Sequence, residues 1–268
     1  MALVEVGVGA TLATLLVAGW PPVVEAWGAL KPAHAWLNLV GFVSLVIATT
    51  LLHFFPTVVG ARIAARPSAR LTVLGLAAGS ITVAAGFALG LDPVGRAGAV
   101  LVIVGALALA AYARGIWLTR GRWTTDQPWH RFAIGGLVSA IAWFEVGIAI
   151  AASRVVVLGT DPAAWSLDAV VAPLVAGWVG LAMLASATHL LPAVGPGDLA
   201  SHARQRSLLG RQSLLRLGLA DVGVAALAAG LPFGVEPLVV LGAVLLAVAL
   251  AWTLGLLVSA IVLAVRAG

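Results

Sequence analysis

The feature that most constrains this chain is a succession of long apolar runs, each near the length of a bilayer crossing and each closed by turn-forming residues. At 1.5 Å of rise per residue, about 20 apolar residues in a helix cross a hydrocarbon core of about 30 Å. Runs of that kind lie at roughly 4–20, 34–59, 69–91, 96–118, 131–153, 168–193, 213–233 and 236–264. The breaks carry Trp20-Pro21-Pro22, Arg66-Pro67-Ser68, Asp92-Pro93, Asp126-Gln127-Pro128, Asp161-Pro162, Pro196-Gly197-Asp198 and Glu236-Pro237. Composition closes the alternative: 62% of the 268 residues are hydrophobic and 9% charged, too few charges to build a water-facing shell. The predicted fold is therefore all-α, a polytopic integral membrane helical bundle of about eight transmembrane helices with the lipid bilayer as its surroundings. Glu5 stands where a secretory leader would carry Lys or Arg, so the first run reads as a retained helix.

Charge orients the bundle. Arg62, Arg66, Arg70, Arg114, Arg120, Arg122, Arg131, Arg204, Arg206, Arg211, Arg216 and Arg266 fall in the even-numbered loops or at the C-terminal end, against Lys31, Arg96 and Arg154 on the other side. By the positive-inside rule this asymmetry predicts cytoplasmic termini. The same arginines are dispersed among apolar spans and form no basic face, which argues against nucleic acid as a partner. The chain has no cysteine, which removes disulfides, thiolate metal sites and iron–sulfur clusters.

An internal repeat is legible. Residues 41–60 read GFVSLVIATTLLHFFPTVVG and residues 177–196 read GWVGLAMLASATHLLPAVGP. Without a gap, Gly41, Val43, Leu45, His53, Pro56 and Val58 match Gly177, Val179, Leu181, His189, Pro192 and Val194. Four spans separate the copies, so they share an orientation. The expected architecture is a parallel 4+4 duplication, residues 1–128 and 129–268, about an axis along the membrane normal.

His53 and His189 occupy the same repeat position, each three residues before a proline. At 100° per residue, Phe42 and Trp178 share the stripe of the histidine that follows, and Thr50 and Ser186 lie one turn before it. A facing pair of neutral imidazoles between apolar walls suits a bis-histidine haem site; capping of carbonyls loosened by the prolines accounts for the same residues. His34 opens the second span beside Trp36, either as an interfacial residue or as a haem or metal ligand. Glu145 and Asp221 fall inside spans, where an ionised carboxylate is costly. They read as a proton or ion path, or as struts paired with Arg154 or Arg216. His130 and His202, in arginine-rich loops, read as solvated. Hydrolase, phosphate-loop and HExxH signatures are absent.

The run His34-Ala35-Trp36-Leu37-Asn38-Leu39-Val40-Gly41-Phe42-Val43-Ser44, followed by His53-Phe54-Phe55-Pro56 and Gly60-Ala61-Arg62, resembles small prokaryotic membrane proteins related to haem-copper oxidase subunit I, some associated with nitric oxide or nitrite respiration. Gly177-Trp178-Val179 through Thr188-His189-Leu190-Leu191-Pro192 resembles a segment of the same group. Trp36 and Leu52 stand where that pattern has His and Tyr. The resemblance implies haem b or copper as cofactor, His34 as the outer and His53 as the inner ligand, and a prokaryotic plasma membrane. It also implies electron transfer or nitrogen-oxide and oxygen metabolism, with a membrane or periplasmic redox partner or a homo-oligomer. Two other readings stand beside it: a proton-coupled transporter or channel for a small solute or metal ion, and a structural or assembly subunit.

Overall fold

The computed structural model describes residues 1–63, 66–121, 128–194 and 197–266. Arg122, Asp126, Gln127 and Pro196, which entered the readings above, lie outside them. Every regular element among the described residues is helical. We number the main helices α1 (Ala2–Val17), α2 (Trp27–Val58), α3 (Pro67–Leu89), α4 (Asp92–Trp117), α5 (Pro128–Leu158), α6 (Pro162–Val194), α7 (Ser213–Gly230) and α8 (Glu236–Arg266). Seven of them, α2 to α8, are long and apolar enough to cross a bilayer, and the chain is a multi-pass membrane protein. α1 has 16 residues, about 24 Å of helix, shorter than the core thickness. α2 starts at Trp27 rather than near residue 34, after a single turn at Pro21–Glu25. A further helix, Leu199–Leu209, capped by the Asp198 carboxylate on Ser201 N–H at 2.7 Å, lies in what the hydropathy pattern leaves as a loop.

The odd-to-even connections share a local design. Gly19, Gly90, Gly159 and Gly234 all have positive φ (71°, 64°, 67° and 63°), and each stands three residues before a proline: Pro22, Pro93, Pro162 and Pro237. At Gly19, Gly90 and Gly234 the next residue's N–H reaches five residues back, as in Trp20 to Leu15, Leu91 to Gly86 and Val235 to Gly230. This is the left-handed helix end that glycine accepts without a Cβ penalty. Gly159 closes differently. Thr160 turns its N–H (2.8 Å) and its hydroxyl (2.7 Å) to Asp92 at the start of α4. Gly75, Gly79 and Gly86 let α3 approach the backbone of α4 closely, whereas Gly90 is a cap.

α2 and α6 are both wide in the middle. Trp36–Ser44 and Val171–Gly180 are π-helical, wound with bonds to the fifth residue back, an uncommon form that concentrates at functional sites. Ser44 accordingly sends its hydroxyl to Leu39 O at 2.7 Å. The α-helical runs that follow, Leu45–Val58 and Leu181–Val194, begin and end at matched positions of the ungapped repeat. Trp178 is buried against Phe144, ring centroids 4.7 Å apart, while its repeat counterpart Phe42 is half-buried.

Pro56 inside α2 removes the N–H that would bond Leu52 O. The hydroxyl of Tyr112 on α4, the chain's one tyrosine, donates to that carbonyl at 2.5 Å.

By internal packing the chain resolves into two compact units, Met1–His53 with Ala64–Gly115 and Glu145–Val170, and Phe54–Ile63 with Ile116–Phe144 and Val171–Gly268. Each unit draws on both sequence halves, 1–128 and 129–268.

Candidate metal and intramembrane polar sites

In the second unit, His189 sits in a cage of rings. Trp129 stacks on it with centroids 5.8 Å apart at 21°, His130 lies at 5.3 Å, and Phe54 meets it edge-on at 5.6 Å. Trp129 and His130 form the first turn of α5 and lean on each other at 3.6 Å. Arg206, from the helix Leu199–Leu209, places its guanidinium 5.2 Å from the Trp129 ring centroid, a cation–π contact. Nδ1 of His189 is buried and makes no hydrogen bond, so it does not cap a carbonyl.

One expectation changes here. His130 is 4% exposed, not solvated, because Trp129 and His189 cover the face that the neighbouring arginine suggested would meet water. In the second unit the ring of Phe54 meets His189, and in the first unit His53 is exposed on α2. Thr50 bonds Val46 O at 2.8 Å, within its own helix.

His34, in the first unit, is engaged locally. Its Nδ1 lies 3.0 Å from Gly9 O and its ring 5.9 Å from Trp27. The same Nδ1 lies 3.2 Å from Asn38 Nδ2, so it donates to Gly9 O in one tautomer and accepts from Asn38 in the other. Asn38 donates to His34 O at 2.8 Å. Among the described residues no three His, Asp or Glu side chains gather closely enough to hold a metal ion.

The intramembrane carboxylates are not struts. Asp221 on α7 accepts from Trp143 Nε1 and from Ser139 Oγ, each at 2.9 Å. Arg216, which the strut reading paired with it, is fully buried elsewhere: it donates to Leu209 O (2.6 Å), Arg211 O (3.1 Å) and Thr253 Oγ1 (3.2 Å), with its guanidinium 4.4 Å from the Phe132 ring centroid. Arg154 donates to the carbonyls of Ala163 and Ala164. Helix-end carbonyls, lacking partners of their own, outcompete the acids for both arginines. Glu145 is half-buried on α5, with Oε1 shielded and without a hydrogen bond.

Three participants escaped the sequence reading: Trp129, Tyr112 and Glu5. For Trp129 the signal was available, since Trp129-His130 is an aromatic–imidazole pair just past a helix-starting proline. No protein-family model, curated protein or solved structure matches the chain.

Proposed function

We propose that this chain is a redox-type membrane protein that holds a copper ion between His189 and His130, serving electron transfer or nitrogen-oxide and oxygen metabolism. The observation that carries the reading is the buried, unbonded Nδ1 of His189 with a second imidazole centroid 5.3 Å away. Two imidazoles on one ion, with metal–nitrogen bonds of about 2.0–2.1 Å, bring their centroids to about 5–6 Å. A two-nitrogen site without carboxylate or thiolate suits copper better than calcium or magnesium. Copper would supply a one-electron couple, and the rings of Trp129 and Phe54 would keep water from it. Haem is the second cofactor, with His189 as an axial ligand; the proximity of His130 and Trp129 to that ring favours the smaller guest. Metal and haem analysis of the protein purified in lipid tests the reading: about one copper per chain is expected, and protein that takes up neither copper nor haem refutes it.

A second reading, a proton-coupled transporter of a small solute or metal ion, is favoured by Asp221 and Glu145, which lie inside spans without a cationic partner among the described residues. Flux into proteoliposomes that is lost in Asp221→Asn would support it. We also infer that the halves are copies of one four-helix unit with both termini cytoplasmic in a prokaryotic plasma membrane. Matched π-helical segments support the first part and arginine placement the second.

A further inference from the structure

Glu5 is the most completely buried acid in the described chain, 1% exposed on the apolar helix α1. Room for it comes from Gly41, in the π-helical stretch of α2: a Cβ there would coincide with Oε2 of Glu5. One turn along the same seam, Gly9 of α1 likewise makes way for Asn38. The sequence has thus cleared a place for this carboxyl instead of merely tolerating it.

Its surroundings accommodate a protonated acid, because the one hydroxyl that can donate to it, Ser80 Oγ, has backbone acceptors of its own. Ser80 Oγ on α3 lies 2.7 Å from Oε2 of Glu5 and 2.8 Å from Leu76 O, with Ala77 O at 3.2 Å. A hydroxyl has one proton, and Leu76 O can only accept. When Ser80 donates to its own helix, the proton between Ser80 and Glu5 must come from Glu5. Oε1 is buried without a partner, which a neutral acid tolerates far better than an anion. The Met1 amino group favours a charge here through its field, but no cation among the described residues forms an ion pair with the carboxyl. On the elements packed around the carboxyl, the charged or titratable groups are the Met1 amino group on α1, Glu25, Lys31, His34 and His53 along the stretch through α2, and Arg70 on α3. None pairs with Glu5 within 4.0 Å.

We propose that Glu5 is a proton-binding site inside the bundle, a carboxylic acid donating to Ser80 Oγ, held in a seam whose other polar groups are Asn38 and His34. The ligand is a proton rather than a sodium ion, because the carboxyl and one hydroxyl give too few oxygens for a cation cage. The inference stands apart from the His189 reading. Either can fail alone.

The test is infrared spectroscopy of the full chain in lipid at neutral pH, wild type against Glu5→Gln. The expected result is a protonated-carboxyl C=O band that shifts in heavy water and is missing in Glu5→Gln. Ser80→Ala should move this band without removing it, and keeps the question answerable should Glu5→Gln not fold. Dicyclohexylcarbodiimide provides a chemical readout: the acid's O–H adds across the carbodiimide, and acyl migration gives an N-acylurea with no leaving group. Labelling at Glu5 that is insensitive to sodium is expected. A carboxylate band for Glu5 at neutral pH, or labelling blocked by sodium but not by potassium, would overturn the proposal.

Discussion

Tyr112→Phe isolates one atom. The ring is 2% exposed and stays in place when only the hydroxyl is removed, so the apolar packing term is unchanged and the whole effect falls on Leu52 O. That carbonyl has no helical donor, because residue 56 is proline, and the surrounding span holds little water to replace the phenol. A hydrogen bond within a membrane bundle contributes about 0.6 kcal/mol on average, whereas a buried carbonyl left unsatisfied costs about 1–3 kcal/mol. The second effect governs here, and Tyr112→Phe should destabilise the chain by about 1–2 kcal/mol. The control is Pro56→Ala, which restores an N–H four residues after Leu52. In that background Tyr112→Phe should cost under about 0.5 kcal/mol, leaving a coupling of roughly 1 kcal/mol. Reversible unfolding in mixed micelles measures all four corners of the cycle. Equal costs of Tyr112→Phe in both backgrounds would refute the reasoning, since Pro56 would then have nothing to do with the bond.

Gly90→Ala and Gly255→Ala should have opposite signs. Neither Cβ would meet an atom within 4 Å, but Gly90 sits at φ 64° while Gly255 lies inside α8, so the first costs about 1–2 kcal/mol and the second stabilises by about 0.5–1 kcal/mol, read from the same unfolding assay. Asp221→Asn can keep both of its bonds, accepting from Trp143 and donating to Ser139, and should change stability by less than about 1 kcal/mol, whereas Asp221→Leu should cost about 1–3 kcal/mol and alter Trp143 fluorescence. A large stability loss in Asp221→Asn would show that the negative charge itself is structural.

The spans were legible because hydropathy and turn residues register directly in one dimension. What the pattern missed depends on neighbours distant in sequence. The π-helical stretches of α2 and α6 leave no mark in hydropathy, because their wider turns depend on backbone bonds and not on composition. Gly41 looked like one more letter of the repeat, and Glu5 like an argument about leaders; only α1 packed on α2 shows that each explains the other. Charge alone offers Arg154 or Arg216 as strut partners beside the proton-path reading of Asp221, but Arg216 has three acceptors of its own and Asp221 two neutral donors. The four glycine–proline turns are visible in sequence only as separate breaks, since the shared positive φ is a property of the backbone and not of composition.

The central claim, that His189 is the functional ligand, is tested most directly by titrating copper(I) against a competing chelator into the purified chain and its His189→Ala variant, each reconstituted in lipid and shown to be helical. The account predicts one tight site per wild-type chain and a loss of at least about tenfold in affinity in the variant, comparable to the about 10–100-fold effects of disturbing supported metal sites. Equal copper binding by the two proteins, or none by either, would contradict it.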